Sequence, residues 1–175
     1  AWEESSHTYS FQGFGQDSVR GFVHTYSGWQ DTVESEVLRF IVLGDVHNQI
    51  AWEQYRQLYQ KHPHLDFYAQ LGDFVERSYD YYFQLLYQQQ QGTGFDRLPI
   101  VHTPGNHEYH KGIRQQLLPI WYDHFNNPSN GPLHFDETTY YVDFPNLRMI
   151  AVNTNGLRKL SDYTRTQTWI EKTLK

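Results

Sequence analysis

Apolar residues concentrate in three short runs, each closing on a glycine. Val37–Leu43 is nearly continuous and ends at Gly44; Leu65–Leu71 ends at Gly72; Leu98–Thr103 leads to Gly105. Runs of this length without strict alternation read as strands, and the first has the composition of an interior strand. Between them the period changes. From Ile50 to about Lys61, Trp52, Tyr55, Leu58 and Tyr59 fall at helical spacing, and His62-Pro63-His64 stops the helix. A second helix is predicted over about 79–91, closed by Gly92-Thr93-Gly94, and a third over about 112–125. Strands at 139–144 and 147–153 form a predicted hairpin around Pro145-Asn146, and an amphipathic helix begins near Thr164. Residues 1–37 differ from the rest. His7–Phe11 and Gly21–Tyr26 alternate polar and aromatic positions, with Gly13, Gly15 and Gly28 as punctuation.

Alternating strands and helices imply an α/β sheet. The expected organisation is a β-rich segment over 1–37 and an α/β domain over 38–175. In such sheets ligands sit beyond the carboxyl ends of the strands. Those ends carry Gly44-Asp45-Val46-His47-Asn48, Gly72-Asp73-Phe74-Val75-Glu76-Arg77 and Gly105-Asn106-His107-Glu108. The three segments recur at about thirty residues, the length of one strand–helix–strand crossover.

Bulk properties narrow the field. At 175 residues the chain can bury a core of its own. A net charge of -6 gives no reason to expect a nucleic-acid partner, and no apolar run reaches membrane-spanning length. Cysteine is absent, which excludes thiolate metal sites. With 14 Tyr and 5 Trp, the composition suits a periplasmic or secreted protein. Ten histidines supply ample neutral metal ligands.

Asp45 and His47 are two residues apart, so on an extended backbone they face one side and can grip one cation. Asp73 has two oxygens and can bridge two ions, and Asn106 offers a neutral carbonyl oxygen. A mixed oxygen and nitrogen set suits Mn, Fe or Zn. Two such ions can clamp a phosphoryl group and activate water as hydroxide. His107 is placed to give a proton to the leaving oxygen, Glu76 to hold the His107 ring, and Arg77 to bind phosphate oxygens in a fork.

The order Asp-x-His, Gly-Asp-x-x-Glu-Arg, Gly-Asn-His-Glu resembles the calcineurin-like metallophosphoesterases. The motif turns resemble those of protein Ser/Thr phosphatases, which carry Gly-Asp-x-His-Gly, Gly-Asp-x-Val-Asp-Arg and Gly-Asn-His-Glu. The later sequence, from Trp121–Pro128 to Gln167-x-Trp169-Ile170-Glu171, is similar to bacterial secreted and purple-acid-phosphatase-like members. The resemblance covers roughly 37–175. It implies a β-sandwich of mixed sheets flanked by helices, with Asp45 and His47 on a first metal, Asp73 bridging, Asn106 on a second and His107 as acid. Glu76 stands where the family often has an Asp partner for that histidine. Arg77 matches only the Ser/Thr phosphatases. True purple acid phosphatases lack a His at position 47, so a tyrosinate-coloured iron site is not implied. The family completes its site with later histidines, whereas the last here is His134. The expectation is therefore an incomplete domain that alone is weakly metal-bound and poorly active. The substrate expected is a phosphorylated small molecule or phosphoprotein. A non-catalytic metal-binding scaffold stays open as the alternative.

Overall fold

The computed structural model describes residues 2–12 and 18–29 at the level of backbone, and residues 37–48, 52–109, 116–144 and 146–175 with side chains. The chain divides into two compact units, residues 1–37 with 144–147, and residues 38–143 with 148–175. In the first, β1 (Trp2–Gln12) pairs antiparallel with β2 (Ser18–Trp29), from Trp2 opposite Trp29 to Gln12 opposite Ser18, with one irregularity between Trp2 and Glu4.

The second unit is built on three parallel strands, β3 (Phe40–Leu43), β4 (Phe67–Gln70) and β5 (Ile100–His102), in the order β3-β4-β5. α1 (Trp52–Lys61) connects β3 to β4, and α2 (Asp80–Gln90) connects β4 to β5. After β5 come α3 (Ile120–His124), the paired strands β6 (Tyr140–Phe144) and β7 (Leu147–Ala151), and α4 (Leu160–Thr173). The connection between β6 and β7 has room only for a hairpin, so they run antiparallel. The fold is mixed α/β, with parallel and antiparallel sheets accompanied by helices, as the sequence pattern requires.

Every residue of β4 is buried, which fits a strand with neighbours on both sides. The 37–43 run reads as an interior strand, yet β3 stands at one edge of the three. Phe40 and Val42 there are 39 % and 49 % exposed. On the other side, the Tyr140 hydroxyl accepts from the His102 N–H (2.9 Å) and donates to the His102 carbonyl (2.7 Å). One side chain thereby satisfies backbone groups that a fourth strand would otherwise pair.

The core gathers Leu43, Val46 and Trp52 with Tyr68, Phe74, Val75, Phe83, Leu86, Phe95, Trp121 and Phe125. Val46, Phe74 and Val75 come from the loops after β3 and β4, so the turns that carry the polar motifs are themselves nailed into the core. Trp52 and Trp121 anchor it, both buried. Trp169 does not. It is only half-buried and spends its indole N–H on the Asn130 carbonyl (2.9 Å).

Two helices depart from the sequence pattern. The third was expected from about 112, but Gly112–Gln115 lie outside the described residues, and Leu117 makes an extended bridge to Tyr109. Pro119 disfavours a helical Leu118, so α3 starts only at Ile120. The last helix starts four residues earlier than expected. The Asp162 carboxylate accepts from the N–H groups of Lys159 (3.1 Å) and Arg158 (3.3 Å), which caps the first turn at Leu160. Ile50, at the predicted start of α1, and Pro145 in the hairpin turn also lie outside the described residues.

Candidate metal centre

The site forms where the loops after β3, β4 and β5 meet. Asp45, His47, Asn48 and Asp73 all have positive φ, between 50° and 56°. Asp, Asn and His are the non-glycine residues that enter this left-handed region most readily, at a cost of order 1 kcal/mol each. The extended backbone expected between Asp45 and His47 is therefore replaced by a tight left-handed turn. The two side chains still converge, because the turn is held from outside: the His47 N–H donates to the Asp73 carbonyl (3.1 Å).

The β4 and β5 loops approach closely enough to demand glycine. Gly72 has φ +85°, and a Cβ there would stand 2.5 Å from the backbone of Gly105. A Cβ on Gly105 would in turn meet Asp73 Oδ1 at 2.2 Å. With neither side chain present, the His107 N–H reaches Asp73 Oδ1 at 2.8 Å and fixes that carboxylate.

Two polar residues that the sequence reading assigned no role organise this junction. Glu108 is fully buried. Its Oε2 accepts from the N–H of Asp73 (2.9 Å) and Gly105 (2.7 Å), and its Oε1 from Phe74 (2.8 Å) and Val75 (3.2 Å). Burial pushes its carboxyl up, while the N–H groups of Val75, Gly105 and Phe74 pull it back. All four partners are donors, so the ionised carboxylate is the form that fits. Asn48 is the second. Its Oδ1 accepts from the Glu76 N–H (2.8 Å), and its Nδ2 donates to the Tyr82 carbonyl (2.7 Å). Its φ of +56° lies in the left-handed region, which Asn enters more readily than most residues other than Gly. The signal available in sequence was an Asn directly after a ligand pair and a Glu ending a turn motif.

His47 is the hub. Its Nε2 lies 3.5 Å from Asp45 Oδ1 and 3.8 Å from Asp73 Oδ2, and its Nδ1 lies 3.4 Å from Glu76 Oε2. The ligand atoms of Asp45, His47 and Asp73 all fall within 4.8 Å of one another, as do those of His47, Glu76 and His107. Ligands about 2.0–2.2 Å from a cation are roughly 3–4 Å apart, so the first group fits one ion. Among the described residues no Lys or Arg pairs with Asp45, Asp73 or Glu76, so three carboxylates converge on one imidazole with no permanent cation to balance them.

His107 packs edge-on against His47, with ring centroids 4.1 Å apart. Its Nδ1 is 2.7 Å from the Glu76 main-chain carbonyl. A carbonyl only accepts, so Nδ1 carries the proton and Nε2 is left for chemistry. Here the geometry differs from expectation. Glu76 was expected to hold His107 with its carboxylate, but its carbonyl does so, and the carboxylate turns to His47. The left-handed turn at Asp73 points the following main chain, rather than the Glu76 side chain, at the His107 ring. Asn106 is exposed and opens the single 3-10 turn Asn106–Glu108. Arg77 is exposed and makes no ion pair among the described residues.

Among the described residues, the other histidines join neither group. His102 is buried against Trp121 and Phe125, and burial pulls its pKa down to about 3. His124 stacks on Phe83 (4.2 Å) and faces Asp80 (3.2 Å). His134 joins no candidate metal group among the described residues, and His110 lies outside them.

A fold of parallel strands whose carboxyl-end loops gather Asp, His and Glu around a cation-sized space defines a class of metal-dependent hydrolases. A family model described as calcineurin-like phosphoesterase matches residues 38–173, and the chain belongs to that family. The activity that goes with it is hydrolysis of phosphoric esters, with phosphorylated molecules as substrates. No curated protein matches the chain. Among the described residues no helix is long and apolar enough to cross a membrane.

Proposed function

We propose that residues 38–175 carry a dinuclear phosphoesterase centre acting on phosphate mono- or diesters, with residues 1–37 a separate β-rich segment. The observation that carries this reading is the convergence of Asp45 and Asp73 on His47 Nε2 at 3.5 and 3.8 Å, with no Lys or Arg pairing with them among the described residues. Asp45, His47 and Asp73 would hold a first cation, and Asp73 with the Asn106 carbonyl oxygen would hold a second. The oxygen and nitrogen donors fit Mn, Fe or Zn. When bound, such ions supply Lewis-acid charge to the phosphoryl oxygens and lower the pKa of water.

The chain's own residues do the rest. The Glu76 carboxylate, 3.4 Å from His47 Nδ1, would hold a proton on that nitrogen and leave Nε2 as the ligand atom. Arg77 is free to take phosphate oxygens in a bidentate fork. Water gives up one proton to solvent as its oxygen bonds to phosphorus, and the ester P–O bond breaks on the opposite side. His107, as imidazolium, gives its Nε2 proton to the leaving oxygen, while its Nδ1–H stays on the Glu76 carbonyl and keeps the ring from turning.

The test is hydrolysis of p-nitrophenyl phosphate by the metal-free chain with Mn²⁺ added back. Turnover is expected to need the metal. His107→Ala is expected to lose about 100-fold or more while bound Mn²⁺ stays unchanged. Unchanged turnover in that variant would remove His107 from the reaction. Metal binding without any turnover would favour the scaffold reading.

A further inference from the structure

The first turn of α2 carries two tyrosines that the core does not use, Tyr79 and Tyr81, beside Tyr82, which packs against it. α2 buries Phe83, Leu86 and Gln90. Tyr79 and Tyr81 stand 53 % and 66 % exposed, although a helix-packing role would bury them. Their rings are not scattered. Tyr81 meets Tyr82 edge-on at 5.3 Å, and Tyr79 lies 6.5 Å from the same ring. Isolated exposed aromatics need no explanation, but a contiguous set beside a polar cluster does.

The position of this set is fixed by Asn48. One amide side chain reaches the Glu76 N–H at 2.8 Å and the Tyr82 main-chain carbonyl at 2.7 Å, which ties the first turn of α2 to the loop that carries Glu76. Arg77 lies between them in sequence, and the Tyr79 N–H turns back to the Arg77 carbonyl (2.8 Å). A phosphoester held at the cations and Arg77 has its organic group leaving on the side away from phosphorus. Exposed rings that follow Glu76 and Arg77 within a few residues offer flat π-faces and edges to a flat partner, and an alkyl or polyol group gains little from them.

We propose that Tyr79 and Tyr81, backed by Tyr82, receive the organic portion of the substrate, and that the favoured substrates are phosphoesters of an aromatic group, an aryl or a base-bearing alcohol. The inference rests on the phosphoesterase reading above. It adds a specificity element that the metal ligands do not supply.

The test compares phenylphosphonate with methylphosphonate, neither of which can be hydrolysed, by calorimetric titration of the chain with Mn²⁺ present. Phenylphosphonate is expected to bind roughly ten-fold more tightly, the scale of one aromatic stacking contact. The double substitution Tyr79→Ala/Tyr81→Ala is expected to bring the two ligands within about two-fold, with methylphosphonate affinity unchanged. Tyr79→Phe/Tyr81→Phe is expected to keep the preference. Equal affinities in the unaltered chain, a preference that survives the alanine pair, or loss of both affinities together would each overturn the proposal. If neither phosphonate shows Mn²⁺-dependent binding, the phosphoesterase reading falls, and this inference with it.

Discussion

At the scale of single residues, the candidate centre is an exercise in holding strained ligands still. Four left-handed non-glycine residues in two adjacent turns would not persist without outside support. Glu108 supplies it for the turn at Asp73, with four main-chain donors on one buried carboxylate, and the His47 N–H bond to the Asp73 carbonyl passes it to the turn at Asp45–Asn48. Glu108→Gln conserves shape but places an amide donor against two N–H donors. It is expected to destabilise the fold by about 2–4 kcal/mol and to weaken Mn²⁺ binding, although it touches no ion. Urea denaturation together with metal titration checks this, and a variant as stable as the parent would show that the clamp does not matter. The convergence of Asp45, His47, Asp73 and His107 was legible, because Asp-x-His, Gly-Asp and Gly-Asn-His all sit at strand ends. The partner of each ring was not legible. Whether Glu76 faces His47 or His107 depends on a φ of about 50° at Asp73, and side-chain order along a motif does not encode that.

At the scale of elements, β4 and α1 were readable because a continuous apolar run and a 3.6-residue period are strong, local signals. α3 was not, since Pro119 restricts its predecessor more than the apolar spacing favours a longer helix. α4 began early because of a side-chain cap at Asp162, which an apolar period does not report. The packing of β5 against α3 has a consequence for pH. His102 on β5 is buried on Trp121 and Phe125 of the α3 segment and stays neutral down to about pH 3. In the unfolded chain the same ring takes a proton near pH 6.5. Below that pH the unfolded state binds the extra proton, so stability falls as pH falls, by up to about 1.4 kcal/mol per unit from this group. Urea midpoints measured from pH 6.5 to 5, where carboxylates remain ionised, are expected to fall less steeply in His102→Leu than in the parent. Identical slopes would mean that His102 is hydrated in the folded chain.

At the scale of the whole molecule, the loops after β3 and β4 bring Asp45, His47 and Asp73 within 4.8 Å of one another, and the loop after β5 sets His107 against His47. A cation there would offset the repulsion of carboxylates that a chain of net charge -6 concentrates at one point. The most direct measurement is a Mn²⁺ titration of the metal-free chain followed by electron paramagnetic resonance, alongside Asp73→Asn. Bound Mn²⁺ is expected to lose the six-line signal of the free ion and, as the second seat fills, to show the broadening of two coupled ions; Asp73→Asn is expected to lose that coupling and most of the binding. A free-ion signal that tracks every addition of Mn²⁺, or binding that Asp73→Asn leaves intact, would contradict the account.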